Sequence, residues 1–131
     1  PALVRLVWQL LGPDRLNLVT DAMAAMGMDP GEYLLGDFRV TVDAGSARLD
    51  DGTLAGCVLS LDASLRAFMA FTGAALADVL PTVTTTPARL LGLDGQLGRV
   101  APGYAADLAL LTPDLRVVET FVGGTSVYRA D

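Results

Sequence analysis

The chain has no histidine and no lysine, a single cysteine, a single tryptophan and no long apolar run. Without imidazole it can form neither a Ser-His nor a Cys-His couple, and it offers a metal no histidine ligand. Its one thiol, Cys57, excludes an internal disulfide and a multi-thiolate zinc site. Arg5, Gln9 and Gly12 interrupt even the most apolar stretch, so nothing approaches the ~18 residues of a membrane span. All nine cations are arginines, set against fifteen acids. The formal net charge of −6 leaves no basic surface large enough to hold nucleic acid. What is present is 131 residues, 52% hydrophobic and 18% charged, too apolar for disorder and suited to one domain. Chemistry performed by this chain alone must come from carboxylates, hydroxyls, arginine or backbone.

The chain opens on Pro1 and enters a helical pattern at once, with no charged region and cleavage site of a secretory signal, which reads as a piece of a longer polypeptide. Leu3, Leu6, Val7, Leu10 and Leu11 recur at helical spacing, and Val4 and Trp8 add apolar surface on a flank. Such a helix needs packing partners over most of its circumference, and Gly12-Pro13-Asp14 stops it. Residues 16–21 are short and mostly apolar, as a buried parallel strand is. Asp21 then lies at the carboxyl end, where α/β folds carry their catalytic side chains. On the residues alone a helix cap is the commoner role, because Thr20 or Asp21 precedes the helix-forming run Ala22-Met23-Ala24-Ala25-Met26 that ends at Gly27.

Period-two alternation follows over residues 32–50, with Phe38, Val40 and Val42 set against Arg39 and Thr41. Asp43-Ala44-Gly45 turns the chain back into Ala47-Arg48-Leu49, predicting a hairpin at about 38–49. Asp50-Asp51-Gly52-Thr53-Leu54-Ala55-Gly56 reads as a glycine-bounded loop. It lacks the ligand spacing of a calcium loop, so a plain turn accounts better for Asp50 and Asp51. Gly52 and Gly56 would let backbone come close to a ligand. Ser60 can cap a helix striped by Leu61, Leu65, Phe68, Met69 and Thr72 and closed by Gly73. Leu76, Val79, Leu80 and Val83 suggest another, distorted or ended early by Pro81. Thr86-Pro87 opens a short helix that Gly92 stops. The tail is β: strands at 108–111 and about 116–122, a Gly123-Gly124 hairpin, then Ser126-Val127-Tyr128. Asp107 beside a turn is expected to bond local backbone amides, not a metal.

Four segments occur in a telling order: Leu18-Val19-Thr20-Asp21-Ala22-Met23, Asp51-Gly52-Thr53-Leu54-Ala55-Gly56, Thr86-Pro87-Ala88-Arg89-Leu90-Leu91-Gly92, and Gly98-Arg99-Val100-Ala101-Pro102-Gly103 with Ala106-Asp107-Leu108. Together they resemble the C-terminal third of the N-acetylglucosamine-6-phosphate deacetylase family of amidohydrolases. The last segment is common to amidohydrolases at large; the first two are more specific to the deacetylases. The resemblance implies an α/β fold: residues 1–95 as the last strand and helices of a (β/α)8 TIM barrel, and residues 96–131 as C-terminal strands of a small β-sandwich. It implies hydrolysis of the acetamide of N-acetylglucosamine 6-phosphate to glucosamine 6-phosphate and acetate. Asp21 stands at the catalytic position, as proton acceptor and donor and a possible secondary metal ligand, and Leu54, Ala55 and Gly56 at the substrate contact. A divalent metal cation (zinc, iron or manganese) is implied for the complete enzyme, held by a glutamate and histidines upstream, with none expected on this stretch alone. A cytoplasmic homo-oligomer, a dimer, is implied as well, with no nucleic acid or membrane partner. Cys57 stands where serine is common, and Pro81 in what is usually a helix interior. The alternatives are a non-enzymatic association module derived from such a tail, or an amidohydrolase of another amide.

Overall fold

In the computed structural model, which describes residues 1–43 and 45–130, the expected N-terminal helix forms as α1 (Ala2–Leu11). Gly12 ends it at φ 62° and donates its amide to Trp8 O at 2.9 Å, a left-handed geometry that glycine adopts without strain. The face it buries is not the leucine stripe. Val4 and Trp8 pack on the core, and the Trp8 ring meets Phe68 edge to face with centroids 5.5 Å apart, a pairing worth ~0.5–1.5 kcal/mol beyond area burial. Leu3, Leu6 and Leu10 stay 70%, 51% and 64% exposed. A helix that is apolar nearly all round buries only the side its neighbours reach, and the Phe68 side is reached by Trp8.

The chain divides into two compact units, Pro1–Leu18 with Leu65–Asp131, and Val19–Ser64. In the first, Val4, Trp8, Leu16 and Leu18 surround buried Leu65, Phe68 and Val79. Leu65 and Phe68 come from α2 (Leu61–Thr72), which Gly73 closes at φ 74° with its amide on Met69 O. Ser60 supplies the helix-start carbonyl to Ser64 N–H at 2.9 Å, while its hydroxyl donates to the Asp62 carboxylate instead of accepting a helix amide as a cap would. The next helix is short, α3 (Leu76–Val79), and passes into a 3-10 turn over Leu80–Val83 with Pro81 at its start, the early end that proline enforces by lacking an N–H. In α4 (Thr85–Leu90), Thr86 lies inside the helix and its hydroxyl donates to Pro13 O at 2.8 Å, so it ties the helix to the chain start and does not cap it.

The tail of the same unit is a three-stranded antiparallel sheet in the order β5 (Leu108–Leu111), β6 (Val117–Val122), β7 (Thr125–Arg129). Asp107 does bond a backbone amide, but not a local one: it accepts the Gly123 N–H at 2.7 Å, from the β6–β7 turn. Glu119 is buried on β6 and accepts hydrogen bonds from Ser126 Oγ at 2.7 Å and from Arg129 at 2.9 and 3.0 Å.

In the second unit β1 (Gly31–Leu35), β2 (Phe38–Val42), β3 (Ser46–Leu49) and β4 (Leu54–Cys57) form an antiparallel meander in that order. Val40, Val42 and Ala47 are buried with Met23 and Ala25, as period-two alternation requires of a sheet with one covered face. Asp43 Oδ1 accepts the amides of Gly45 and Ser46, locking the β2–β3 turn; Ala44 of that expected turn lies outside the described residues. Two expectations fail here. Residues 16–21 form no regular strand: Leu18 N–H goes to Thr82 O at 3.1 Å, and the pairing after it is one isolated parallel bridge, Ala22 to Cys57. A parallel strand needs evenly spaced partners along its length, and among the described residues β4 meets this segment only at its end, where Cys57 N–H donates to Asp21 O. Residues 22–27 form a bridge residue, Ala22, and then turns over 24–27, not a helix, because Met23 N–H is taken by Cys57 O and the alternating Met23 and Ala25 are the buried pair. Among the described residues no single helix is long and apolar enough to cross a membrane.

Candidate functional site

Asp21 has a left-handed backbone at φ 53°, one of two non-glycine residues with positive φ among the described residues. Aspartate tolerates this region better than most residues, yet the geometry still has to be held. It is held from β4. Cys57 N–H donates to Asp21 O at 2.9 Å, and Met23 N–H donates to Cys57 O at 2.9 Å, so two backbone bonds bracket Ala22. Locally, Thr20 Oγ1 accepts the Ala22 amide at 3.3 Å. The Asp21 side chain is exposed, and among the described residues its carboxylate has no hydrogen-bond or ionic partner. Because no helix follows, it caps nothing.

Leu54, Ala55 and Gly56 are on strand β4 and not on a loop; the turn ends earlier, at Gly52, where Asp51 Oδ1 accepts the Thr53 amide at 2.9 Å. That bond holds the Asp51 carboxyl below its ordinary pKa and identifies it as a turn residue. The register runs Ala47 to Gly56 and Arg48 to Leu54, which leaves Ala55 as a bulge. Bulges re-aim neighbouring side chains and are common beside active sites. Leu54 is 58% exposed, Ala55 is half-buried against the sheet core, and Gly56 is buried. The structure therefore brings Asp21 and Gly56 into contact: a Cβ on Gly56, at φ 139°, would sit 3.2 Å from Asp21 O. The close approach expected of Gly56 is to a ligand; the one the structure shows is to the Asp21 backbone. The glycine at 52 has nothing within 4 Å of its Cβ position. Cys57, half-buried, uses Sγ to accept the Leu59 amide at 3.1 Å. Sequence reasoning missed Cys57 as a backbone anchor, because an amide donor leaves no trace in residue type.

A separate shallow cleft of about 160 Å³ in the first unit is lined by Asp14, Arg15, Asn17, Thr86, Arg89 and Leu90. Its arginines are committed to carbonyls, Arg15 to Leu10 O and Leu11 O and Arg89 to Asp14 O, so it is not an anion site. The donor set does not fit a catalytic metal: the chain has no imidazole, and among the described residues no three Cys, Asp or Glu side chains cluster.

The chain is similar to known proteins over almost its whole length. It is 39% identical over 111 residues to the putative N-acetylgalactosamine-6-phosphate deacetylase of Escherichia coli K12, covering 85% of this chain and 66% of that protein. It is 33% identical over 128 residues to the N-acetylglucosamine-6-phosphate deacetylase of Bacillus subtilis 168, covering 98% of this chain and 32% of that one. The crystal structure of N-acetylglucosamine-6-phosphate deacetylase from Thermotoga maritima superimposes with a TM-score of 0.90 at 39% identity, over 98% of this chain and 35% of that chain. A mutant of the Mycobacterium smegmatis enzyme in complex with N-acetyl-D-glucosamine-6-phosphate gives 0.86 at 39%, over 97% and 34%. The chain thus spans about two-thirds of the Escherichia coli K12 relative and about a third of the other proteins named here. The amidohydrolase family profile matches residues 21–127, from Asp21 through the β5–β7 sheet, and the chain belongs to the amidohydrolase family.

Proposed function

We propose that this chain is part of a hydrolase that removes the acetyl group of N-acetylglucosamine 6-phosphate, with Asp21 as the proton-transfer group and Leu54, Ala55 and Gly56 against the substrate. One observation carries the reading: Asp21, exposed and without a partner for its carboxylate among the described residues, is fastened by its backbone to the strand that bears Leu54, Ala55 and Gly56. A carboxylate placed there takes a proton as water adds to the amide carbonyl, then returns it to the nitrogen as the C–N bond breaks. The products are acetate and the free amine of glucosamine 6-phosphate. An amine leaves poorly unless protonated, so this transfer is worth ~10²–10⁴ in rate.

The relatives and the superposition support a finer architecture, with residues 1–95 as the closing part of a (β/α)8 barrel and residues 96–131 as strands of a small sandwich. In such a barrel residues 16–21 would gain the flanking strands that a parallel pairing needs, and Asp21 would stand at the carboxyl edge. The amidohydrolase family is generally metal-dependent. With no histidine, and no three-donor cluster among its described residues, this chain would need further ligands beside Asp21 to hold such an ion.

A second sugar is favoured by a specific observation: relatives named for N-acetylgalactosamine 6-phosphate are as similar as those named for the glucosamine epimer. The test is acetate release from both 6-phosphates by the protein expressed from its complete reading frame. Preference for the glucosamine epimer is expected; preference for the galactosamine epimer selects the second reading, and turnover of neither removes both.

A further inference from the structure

We propose that Gly56 is a positioning residue for Asp21: its missing side chain lets β4 lie close enough for the Cys57 amide to hold the Asp21 carbonyl, which fixes the left-handed backbone from which the carboxylate works. The inference rests on the reading of Asp21 as the proton-transfer group and adds to Gly56 a role exerted through Asp21, not through the substrate.

The geometry leaves β4 no room to yield. On one edge it is paired with β3, where Ala47, opposite Gly56, is fully buried. On the other edge lie residues 21–23, joined through the two 2.9 Å bonds of Cys57. A Cβ on Gly56 would meet Asp21 O at 3.2 Å and Met23 Cβ at 3.5 Å. The first of these is backbone, which cannot swing aside as the end of a long side chain does. Since β4 is fixed by β3, the displaced element is the Asp21 segment, and the Cys57–Asp21 bond lengthens. The φ of 139° at Gly56 is also closed to other residues without strain. Asp21, at φ 53°, then loses the bond that holds it and relaxes toward negative φ, turning its side chain away. Displacements on the ångström scale at a reacting group lower rates by about 10²-fold, so a shift of a few tenths of an ångström is expected to lower kcat by roughly 4- to 10-fold.

The experiment is a double-mutant cycle on the protein expressed from its complete reading frame, with Asp21→Asn, Gly56→Ala and the pair, assayed for kcat and KM on N-acetylglucosamine 6-phosphate. The expected result is a lowered kcat for Gly56→Ala with KM little changed, and no further loss when Gly56→Ala is added to Asp21→Asn. A raised KM at unchanged kcat, or full losses that multiply in the pair, overturns the positioning role while leaving Asp21 as catalyst. A near-normal kcat for Asp21→Asn alone instead overturns the underlying reading. Should Gly56→Ala not fold, Asp21→Gly and Asp21→Ala read the held backbone directly. The glycine variant melts above the alanine variant if Asp21 is kept at positive φ, and the reverse order refutes it.

Discussion

Replacing Gly98 with alanine separates two effects that glycine serves in this chain. Gly98 has φ 85°, and a Cβ built on it would lie 2.8 Å from Thr84 O, 3.0 Å from Thr84 C and 3.1 Å from Ala88 Cβ. Gly52 has nearly the same φ, 83°, with nothing within 4 Å. Gly52→Ala therefore measures the conformational term alone, about 1 kcal/mol. Gly98→Ala adds overlap with backbone at the start of α4, where Thr84 O already accepts the Ala88 amide at 3.2 Å. Overpacking of this kind adds ~1–3 kcal/mol, for a total of ~2–4 kcal/mol against a stability of ~5–15 kcal/mol for a domain. For a chain of this size each kcal/mol moves Tm by roughly 3–5 °C. The expected falls are then about 3–5 °C for Gly52→Ala and ~6–20 °C for Gly98→Ala. Thermal unfolding followed by circular dichroism reads both. Equal falls in the two variants would refute the close approach of the 98–103 connector to α4.

Glu119 accepts bonds first from Ser126 and then from Arg129, which hold its carboxyl below the ordinary glutamate value. Its stabilisation is present above the unfolded pKa of about 4.3 and is lost as pH falls through the depressed folded value. Acid titration of Tm should show this loss in the wild type and a flatter profile in Glu119→Gln; parallel profiles would contradict it. The exposed Leu3, Leu6 and Leu10 side chains should make the isolated 131-residue chain self-associate at tens of micromolar, and Leu6→Glu should raise its solubility; sedimentation as a compact monomer in the unmodified chain would count against this. Lacking histidine and any three-donor cluster among its described residues, the isolated chain is expected not to turn over N-acetylglucosamine 6-phosphate with added zinc, iron or manganese. Acetate release by rigorously purified chain would overturn that expectation.

Elements whose signal is local were legible in the residues. The β2–β3 hairpin follows from the alternation of Phe38, Val40 and Val42, the end of α2 from Gly73, and the break after α3 from Pro81. Local signals misled wherever a distant partner decides the outcome. Residues 22–26 have good helix propensity, but Met23 N–H is claimed by Cys57 O, far along the chain, and the run becomes turns. The leucines of α1 outnumber its buried residues because periodicity identifies an apolar face without saying which part of it meets Phe68. At the candidate site, Asp21 was legible as a residue at the end of an apolar run, and Gly56 as a place of close approach. Their contact was not, since it depends on the bulge at Ala55 and on a backbone amide, neither of which has a residue signature.

The kcat of Asp21→Asn in the protein expressed from its complete reading frame tests the central reading most directly. Asparagine matches aspartate in size and tolerates the left-handed backbone at φ 53°, so the fold and the Cys57 bond survive and only the proton acceptor is removed. The reading predicts a kcat lower by ~10²–10⁴, with KM and Tm near those of the wild type. A kcat close to wild type would contradict it and leave Asp21 as a backbone feature alone.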